Sequence, residues 1–227
     1  MKLKSQTKAV LVSGGLDSSV LLWQASKKYA KVYPIYVKCG LLWEKMELYW
    51  LKVFIKSLHK ESIQSITILK VPMQDLYNGH WSVTGCNVPD HKSSDLSVYL
   101  PGRNIILIAK SAIYCAINHI EELTLATLKG NPFPDATRSF FNSFEKVVSK
   151  ALNSRISIIT PYLNYSKDEV IRKGRLLPLD LTFSCIKPAG RYHCGICNKC
   201  SERKVAFQRA GIFDKTPYLT PTHTPGV

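Results

Sequence analysis

The chain is short of acid. Its 227 residues include 16 Asp and Glu against 31 Lys and Arg, a net charge of +15. The excess is dispersed, with no run of five or six like charges, so a polybasic interaction tail is excluded. Long apolar runs are missing too. None reaches the ~18 residues that a membrane-spanning helix needs, so no membrane partner is expected. The basic opening, Met1 to Lys8, carries no apolar signal core, and the expectation is a cytoplasmic protein. No G-x-x-x-x-G-K-[ST] pattern occurs, which excludes a Walker-type phosphate loop. Internal repeats and low-complexity segments are absent, which leaves out solenoids and flexible linkers. The seven cysteines are an odd number, and three fall in C-x-x-C-x-x-C. That argues against a disulfide frame and for metal in a reducing compartment.

An apolar share of 45% over this length suffices for one domain with a full core. Strand and helix signals alternate along it. Strands are expected at 9–12, 31–38, 65–71, 123–128 and 155–159. Helices are expected at 17–29, 43–58, 101–118 (opened by Pro101-Gly102-Arg103-Asn104) and 137–152, then a short one opened by a capping box at Ser166 and Glu169, and a last one after the cysteines. This β-α-β-α order predicts an α/β fold, a Rossmann-like parallel sheet with helices on both faces. Residues 1–183 would form it, a cysteine-rich segment and final helix (184–218) would pack on the same domain, and 219–227 would be an irregular tail. The polar stretch 73–100 is long for a loop, and such spans are seldom structureless unless functional.

The most informative stretch is V-L-V-S-G-G-L-D-S-S-V-L-L, Val10 to Leu22. An apolar strand turns at Ser13-Gly14-Gly15, and a helix opens at Asp17-Ser18-Ser19. Two glycines let backbone N–H groups point into one space. A helix start adds free N–H donors and a positive dipole end. The product is an oxyanion cradle on the rim where sheets of this kind hold ligands, and Arg103 and Asp135 are expected on the same rim. The charge distribution suits an anion: residues 1–60 carry 11 basic and 3 acidic side chains, 61–137 carry 5 and 7, and 138–215 carry 15 and 6. Basic ends would also suit nucleic acid, but no aromatic-basic RNA motif is present, so a zinc-stabilised RNA-binding protein is the disfavoured reading.

Cys185, Cys194, Cys197 and Cys200 are spaced C-x8-C-x2-C-x2-C. The two-residue spacing lets a tight turn present two sulfurs to one ion, and Gly195 permits the sharp backbone path. Four thiolates leave no open position, so the expected metal is a structural zinc ion. His193 adjoins Cys194 and is the alternative for one ligand. Cys39, Cys86 and Cys115 stand alone, with Cys39 close after the second strand.

S-G-G-x-D-S, Ser13 to Ser18, resembles the pyrophosphate loop of ATP pyrophosphatases. With P-G-R-N, Pro101 to Asn104, and the terminal S-C-I-K-P-A-G-R-Y-H-C-G-I-C-N-K-C-S-E-R-K-V-A-F-Q-R-A-G, it resembles the 7-cyano-7-deazaguanine synthase family, QueC, over about residues 8–218. The resemblance implies an ATP pyrophosphatase fold, structural zinc, ATP with Mg2+, and a homodimer. It implies a ligase that adenylates the carboxylate of 7-carboxy-7-deazaguanine and, with ammonia, converts it first to the amide and then to the nitrile. The nucleotide would run along Leu11, Val12, Ser13, Gly14, Gly15, Leu16, Asp17, Ser18, Ser19, Val20 and Leu21. Asp17 either caps the helix or holds Mg2+. Arg103 either stabilises phosphate charge, since a guanidinium grips such oxygens bidentately, or makes a helix-start salt bridge. Asn104 either polarises the activated carbonyl or caps a helix. Asp135 either reads the donor edge of a guanine-like ring or caps the following helix. Lys129 meets either the acceptor carboxylate or solvent. Trp43, Trp50 and His80-Trp81 are candidate walls of a purine pocket, Trp50 being at core spacing and Trp81 in position for a lid.

Two segments depart from the family pattern. Gly130 to Arg138, G-N-P-F-P-D-A-T-R, replaces D-Y-S-G-Y-P-D-C-R, and Tyr36-Val37-Lys38-Cys39-Gly40 replaces Y-G-Q-R-H. Both face the acceptor. A paralogue that passes a deazaguanine-type carboxylate to another amine, on a protein included, therefore stands beside the nitrile synthase.

Overall fold

Successive residues of the central strands bury on opposite faces of one sheet, and each face is covered by helices. In the computed structural model, which describes residues 7–219, the strands are β1 (Thr7–Leu11), β2 (Lys31–Lys38), β3 (Thr67–Lys70), β4 (Glu122–Thr124) and β5 (Ser157–Ile159). All pair in parallel, in the order β3-β2-β1-β4-β5. The helices are α1 (Leu16–Ser26), α2 (Glu44–Leu58), α3 (Trp81–Thr84), α4 (Arg103–Ile117), α5 (Arg138–Ala151), α6 (Lys167–Lys173) and α7 (Asn198–Ala210).

Val10, Val32 and Tyr36 share a buried cluster with Val20 and Leu22 of α1, Leu51 of α2, Val170 of α6 and Phe207 of α7. Ala9, Ile35 and Leu123 join the other cluster, with Ile108 and Ala112 of α4 and Phe141 of α5. Leu22, Ile35, Ile108 and Leu123 have no exposed surface, and burying each contributes ~1.5–3 kcal/mol. The expected α/β fold with helices on both faces is thus the observed one. The chain winds outward from β1 to β3, then crosses back to lay β4 on the free edge of β1. Strand order reverses between β1 and β4, and a cleft opens beyond their carboxyl ends.

Several boundaries differ from those expected, each for a local reason. Helix α1 stops at Ser26, short of residue 29, where the Ser26 carbonyl accepts from the Ser62 hydroxyl at 2.9 Å and Lys28 closes a tighter turn onto the Ala25 carbonyl. Strand β4 stops at Thr124 rather than 128. Leu125 still donates to the Ile159 carbonyl at 2.9 Å, but Pro161 follows on the neighbouring strand, and residues 126–128 leave the sheet to line the cleft. Strand β5 starts at Ser157, not 155, because the Ile156 N–H donates to the Ser149 hydroxyl and the Ile156 carbonyl accepts from it. The stretch 73–100 is ordered by α3, by a 3-10 turn at Asp95–Val98 and by the Asp90 carboxylate, which accepts from the Lys92 and Ser93 N–H groups. It is tied to the cysteine segment where His91 donates to the Ile196 carbonyl and Asn198 to that of Pro89. The capping box is present: Glu169 accepts from the Ser166 N–H at 2.7 Å. The tail expected over 219–227 lies, beyond Leu219, outside the described residues, as does most of the basic opening segment.

Arg203 fastens the carboxyl-terminal segment to the sheet domain. It is fully buried, donating to Thr216 Oγ1 at 2.8 Å, Thr182 Oγ1 at 2.9 Å and the Leu179 carbonyl at 2.7 Å. Deleting the guanidinium removes three buried charge-assisted hydrogen bonds and leaves Thr216 Oγ1 without this donor, although the Leu179 carbonyl keeps the Thr182 N–H and hydroxyl. Arg203→Met is therefore expected to destabilise the protein by about 3 kcal/mol in urea unfolding, and an unchanged midpoint would contradict the structural role.

Candidate active site

The cradle forms as the glycines require. Gly14 adopts φ +76°, and a Cβ there would lie 2.7 Å from the Glu47 carbonyl oxygen. Only glycine lets α2 approach this turn so closely. The Ser18 hydroxyl accepts from the Ser13 N–H and donates to the Gly15 carbonyl, both at 3.2 Å, which fixes the loop from within. The first helical hydrogen bond runs from Ser19 to Gly15. The N–H groups of Leu16, Asp17 and Ser18 are thus left for a ligand. Asp17 makes no capping bond on α1, whose N-cap is Gly15.

The cleft has two chambers. A loop-side chamber of about 330 Å³ is bordered by Ser13, Gly15, Tyr36, Glu47, Arg103 and Asn104, with Trp43, Trp81 and Leu107 as apolar wall. An α7-side chamber of about 540 Å³ is bordered by Lys129, Arg209, His91 and Glu202. Asp17, Lys167 and Lys199 border both.

Charges meet at that junction. Lys167 Nζ lies 2.6 Å from Glu202 Oε1 and 3.6 Å from Asp17 Oδ2, and Lys199 Nζ lies 2.8 Å from Glu202 Oε2. Burial raises the Glu202 carboxyl, but the two ammonium groups outweigh it and bring it down to about 2. Burial favours a neutral Lys167, yet Glu202 and Asp17 more than offset this and hold its pKa above the ordinary lysine value. Asp17 is raised, by burial first and against the pull of Lys167. Its Oδ1 is buried without a partner among the described residues, an acceptor free for a ligand or cation.

Arg103 opens α4 beside the loop-side chamber, and its Nε is likewise buried with no partner among the described residues. Asn104 is turned toward Asp135: its N–H meets Asp135 Oδ2 at 3.1 Å, and its side-chain amide meets Asp135 Oδ1 at 3.2 Å. Asp135 therefore caps α4 rather than the helix that follows, borders neither chamber, and has both carboxylate oxygens engaged. The following helix is capped by Thr137, whose hydroxyl accepts from the Phe140 N–H. Lys129 borders the α7-side chamber only. Trp43 and Trp81 stack with centroids 5.6 Å apart. Trp50 borders neither chamber and donates to the Arg191 carbonyl. His80 caps α3, and Cys39 is buried with its N–H on the Glu44 carboxylate.

Lys167, Lys199, Glu202 and Glu47 were not anticipated as site residues. Lys167 sits inside the capping-box sequence, where the cap alone accounts for the pattern. Glu47 carried a readable signal, because Glu44, Glu47, Leu51 and Phe54 bury at helical spacing, and two carboxylates in an apolar stripe call for a partner.

The four cysteine sulfurs lie within 4.8 Å of one another. The Cys185–Cys197 and Cys194–Cys200 pairs are 3.9 Å apart, close to the edge of about 3.8 Å for a tetrahedron of thiolates around an ion at ~2.3 Å. Backbone N–H groups of Lys187 and Cys194 point at the Cys185 sulfur, as suits a thiolate. Gly195 adopts φ +78°, which the turn requires. The residues present fit a tetrahedral ion. His193 is not one of the cluster, because its Nε2 accepts the Ser184 N–H at 3.1 Å.

A family model described as Queuosine biosynthesis protein QueC matches residues 7–211. The chain is 30% identical over 205 residues to 7-cyano-7-deazaguanine synthase 1 of Desulfitobacterium hafniense (strain Y51), covering 88% of this chain and 90% of that one. It is 30% identical over 226 residues to the 7-cyano-7-deazaguanine synthase of Acetivibrio thermocellus, covering 94% and 98%. Among solved structures, a 4-thiouridine synthetase in complex with RNA and bound ATP superposes with a TM-score of 0.50 at 16% identity, over 91% of this chain and 50% of that one. That likeness is one of fold.

Cys197→Ser should lower both bound metal, by elemental analysis, and the melting temperature; an unaffected melting temperature would contradict a structural metal. A second prediction concerns pH. Burial pushes the Glu47 carboxyl up from 4.5 to about 7, against Arg103 and Tyr36, which lower it. The folded protein keeps this proton where the unfolded chain has lost it, so the group's contribution to stability falls as pH rises between those values and levels off above. Glu47→Gln removes that slope. It should gain ~2–3 kcal/mol on the parent between pH 4.5 and 7.5 in urea unfolding, and parallel pH profiles would contradict the burial.

Proposed function

Because the chain belongs to the QueC family, we propose that it is an ATP-dependent ligase converting 7-carboxy-7-deazaguanine and ammonia into 7-cyano-7-deazaguanine, with release of AMP and pyrophosphate. The observation that carries this reading is one cleft holding unspent N–H donors at Leu16, Asp17 and Ser18, the Lys167 ammonium and the Arg103 guanidinium. A carboxylate does not yield to ammonia directly, because oxide is a poor leaving group. Attack of its oxygen on the α-phosphorus breaks the bond to the β-phosphate and turns the acid into an acyl adenylate. Ammonia then displaces AMP and loses a proton, leaving the amide. A second activation through the amide oxygen, with loss of AMP and the remaining two amide protons, leaves the nitrile.

The chain's residues would share this work. The cradle and Lys167 take charge that builds on the departing pyrophosphate, in a geometry already fixed before reaction. Arg103 takes the α-phosphate side, and the Asn104–Asp135 pair holds the start of α4 so that Arg103 is aimed. Lys129, in the α7-side chamber, is the residue for the acceptor carboxylate. Asp17, with Oδ1 unpartnered, would hold Mg2+, which neutralises phosphate charge when bound. The four thiolates would hold zinc as a closed structural site that leaves no position for substrate. No helix among the described residues is long and apolar enough to cross a membrane, and the reading is of a cytoplasmic homodimer.

The test is mass spectrometry of products from ATP, ammonia and 7-carboxy-7-deazaguanine. AMP, pyrophosphate and the nitrile are expected. AMP without the nitrile would redirect the reading to another amine, and absence of pyrophosphate would contradict it. Asp17→Ala should cut AMP formation by at least about 100-fold with the melting temperature kept; full turnover would remove Asp17 from the site.

A further inference from the structure

Glu47 has no place in the chemistry above, yet it is only 8% exposed and its side chain borders the loop-side chamber. A buried carboxylate is costly unless it is paired. Glu47 forms no ion pair among the described residues; the Tyr36 hydroxyl donates to its Oε2 at 2.9 Å, the Trp43 side chain is a second donor, and the Arg103 guanidinium is the nearby positive charge. The Tyr36 hydroxyl also lies 3.4 Å from the Glu44 carbonyl, so a carboxylate at position 47 is not needed to satisfy it. Glu44, one turn earlier, does have a structural duty: it accepts the N–H groups of Cys39 and Gly40. Position 47 is thus held beside the phosphate loop by the Gly14 contact, with a carboxylate the fold does not require.

The surroundings define what would use it. Trp43 and Trp81, stacked on each other, form a flat apolar border of the same chamber. Of the carboxylates around this chamber, Asp17 faces Lys167 through Oδ2 and is assigned above to Mg2+ through Oδ1, and Asp135 lies outside with both oxygens on Asn104. A carboxyl that is acceptor-only once ionised, beside an aromatic wall, matches a planar heterocycle with N–H donors on one edge.

We propose that Glu47 is the ring-reading residue of the loop-side chamber, accepting N–H donors from a purine-type ring that lies against the Trp43–Trp81 wall. The inference rests on the reaction proposed above, which brings two such rings: adenine, with its amino group, and the deazaguanine, with its ring N–H and amino group.

The test uses the full chain and equilibrium titration, which does not depend on turnover. ATP is one probe; 7-carboxy-7-deazaguanine with a non-hydrolysable ATP analogue is the other. Glu47→Gln should weaken one probe by roughly 10- to 100-fold and leave the other within about twofold. Loss in the ATP arm assigns the ring as adenine, and loss in the acceptor arm assigns it as the deazaguanine. If the ring is adenine, an analogue lacking its amino group should bind the parent and the variant alike; if it is the deazaguanine, which keeps its ring N–H, the same deletion should narrow the difference between them. Unchanged affinity for both probes, or an equal loss in both, overturns the proposal, the latter because a general distortion of the cleft would act on both. Glu47→Asp, which keeps the charge, should bind the affected probe better than Glu47→Gln. If the parent binds both probes but forms no nitrile, the reaction reading fails while the titrations still decide the role of Glu47.

Discussion

The site depends on the missing side chain at Gly14. The turn after β1 brings this residue against α2, with space for a hydrogen and not for a methyl group. Its carbonyl accepts from the Phe183 N–H at 2.8 Å, two residues before the first cysteine of the cluster. One residue with positive φ therefore joins the phosphate loop to the helix carrying Glu47 and to the strap leading into the metal-binding segment. Any side chain at this position would push α2 away from the loop.

Charge at the junction of the two chambers is balanced, with Lys167 and Lys199 facing Asp17 and Glu202, and the Arg103 guanidinium borders the loop-side chamber. Helix α7 begins at the cysteine cluster and carries Lys199 and Glu202 into the cleft, where Glu202 holds the Lys167 ammonium beside Asp17. Arg203, the next residue, borders neither chamber and is buried among hydroxyls and a carbonyl, with Asp214 at 4.0 Å. Adjacent residues of one helix thus serve the site and the fold. The cysteine segment, with no side chain of its own in the reaction, sets the position of both.

The fold was legible in the sequence because its signals are local and repeated: β-branched runs, helical spacing of apolar residues, Gly-Gly after a strand, and cysteines two residues apart. What was not legible was long-range. The partner of Asp135 is Asn104, 31 positions away, and nothing near either residue announces it. Lys167 was hidden by a second correct reading of the same four residues, the capping box. The ends of β4 and β5 were set by Pro161 and Ser149, which lie outside or beside the segments they terminate. The departures from the family pattern at 36–40 and 130–138 meet at the loop-side chamber. Tyr36 and Val37 border that chamber with Asn131 and Phe133, and Gly130 to Phe133 also border the α7-side chamber.

The measurement that bears most directly on this account is a crystal structure soaked with a non-hydrolysable ATP analogue and Mg2+. The account predicts terminal phosphates within hydrogen-bond distance of the Leu16, Asp17 and Ser18 N–H groups, with Lys167 Nζ turned from Glu202 toward them. Phosphates bound elsewhere, with the turn at Ser13 to Gly15 empty, would contradict it.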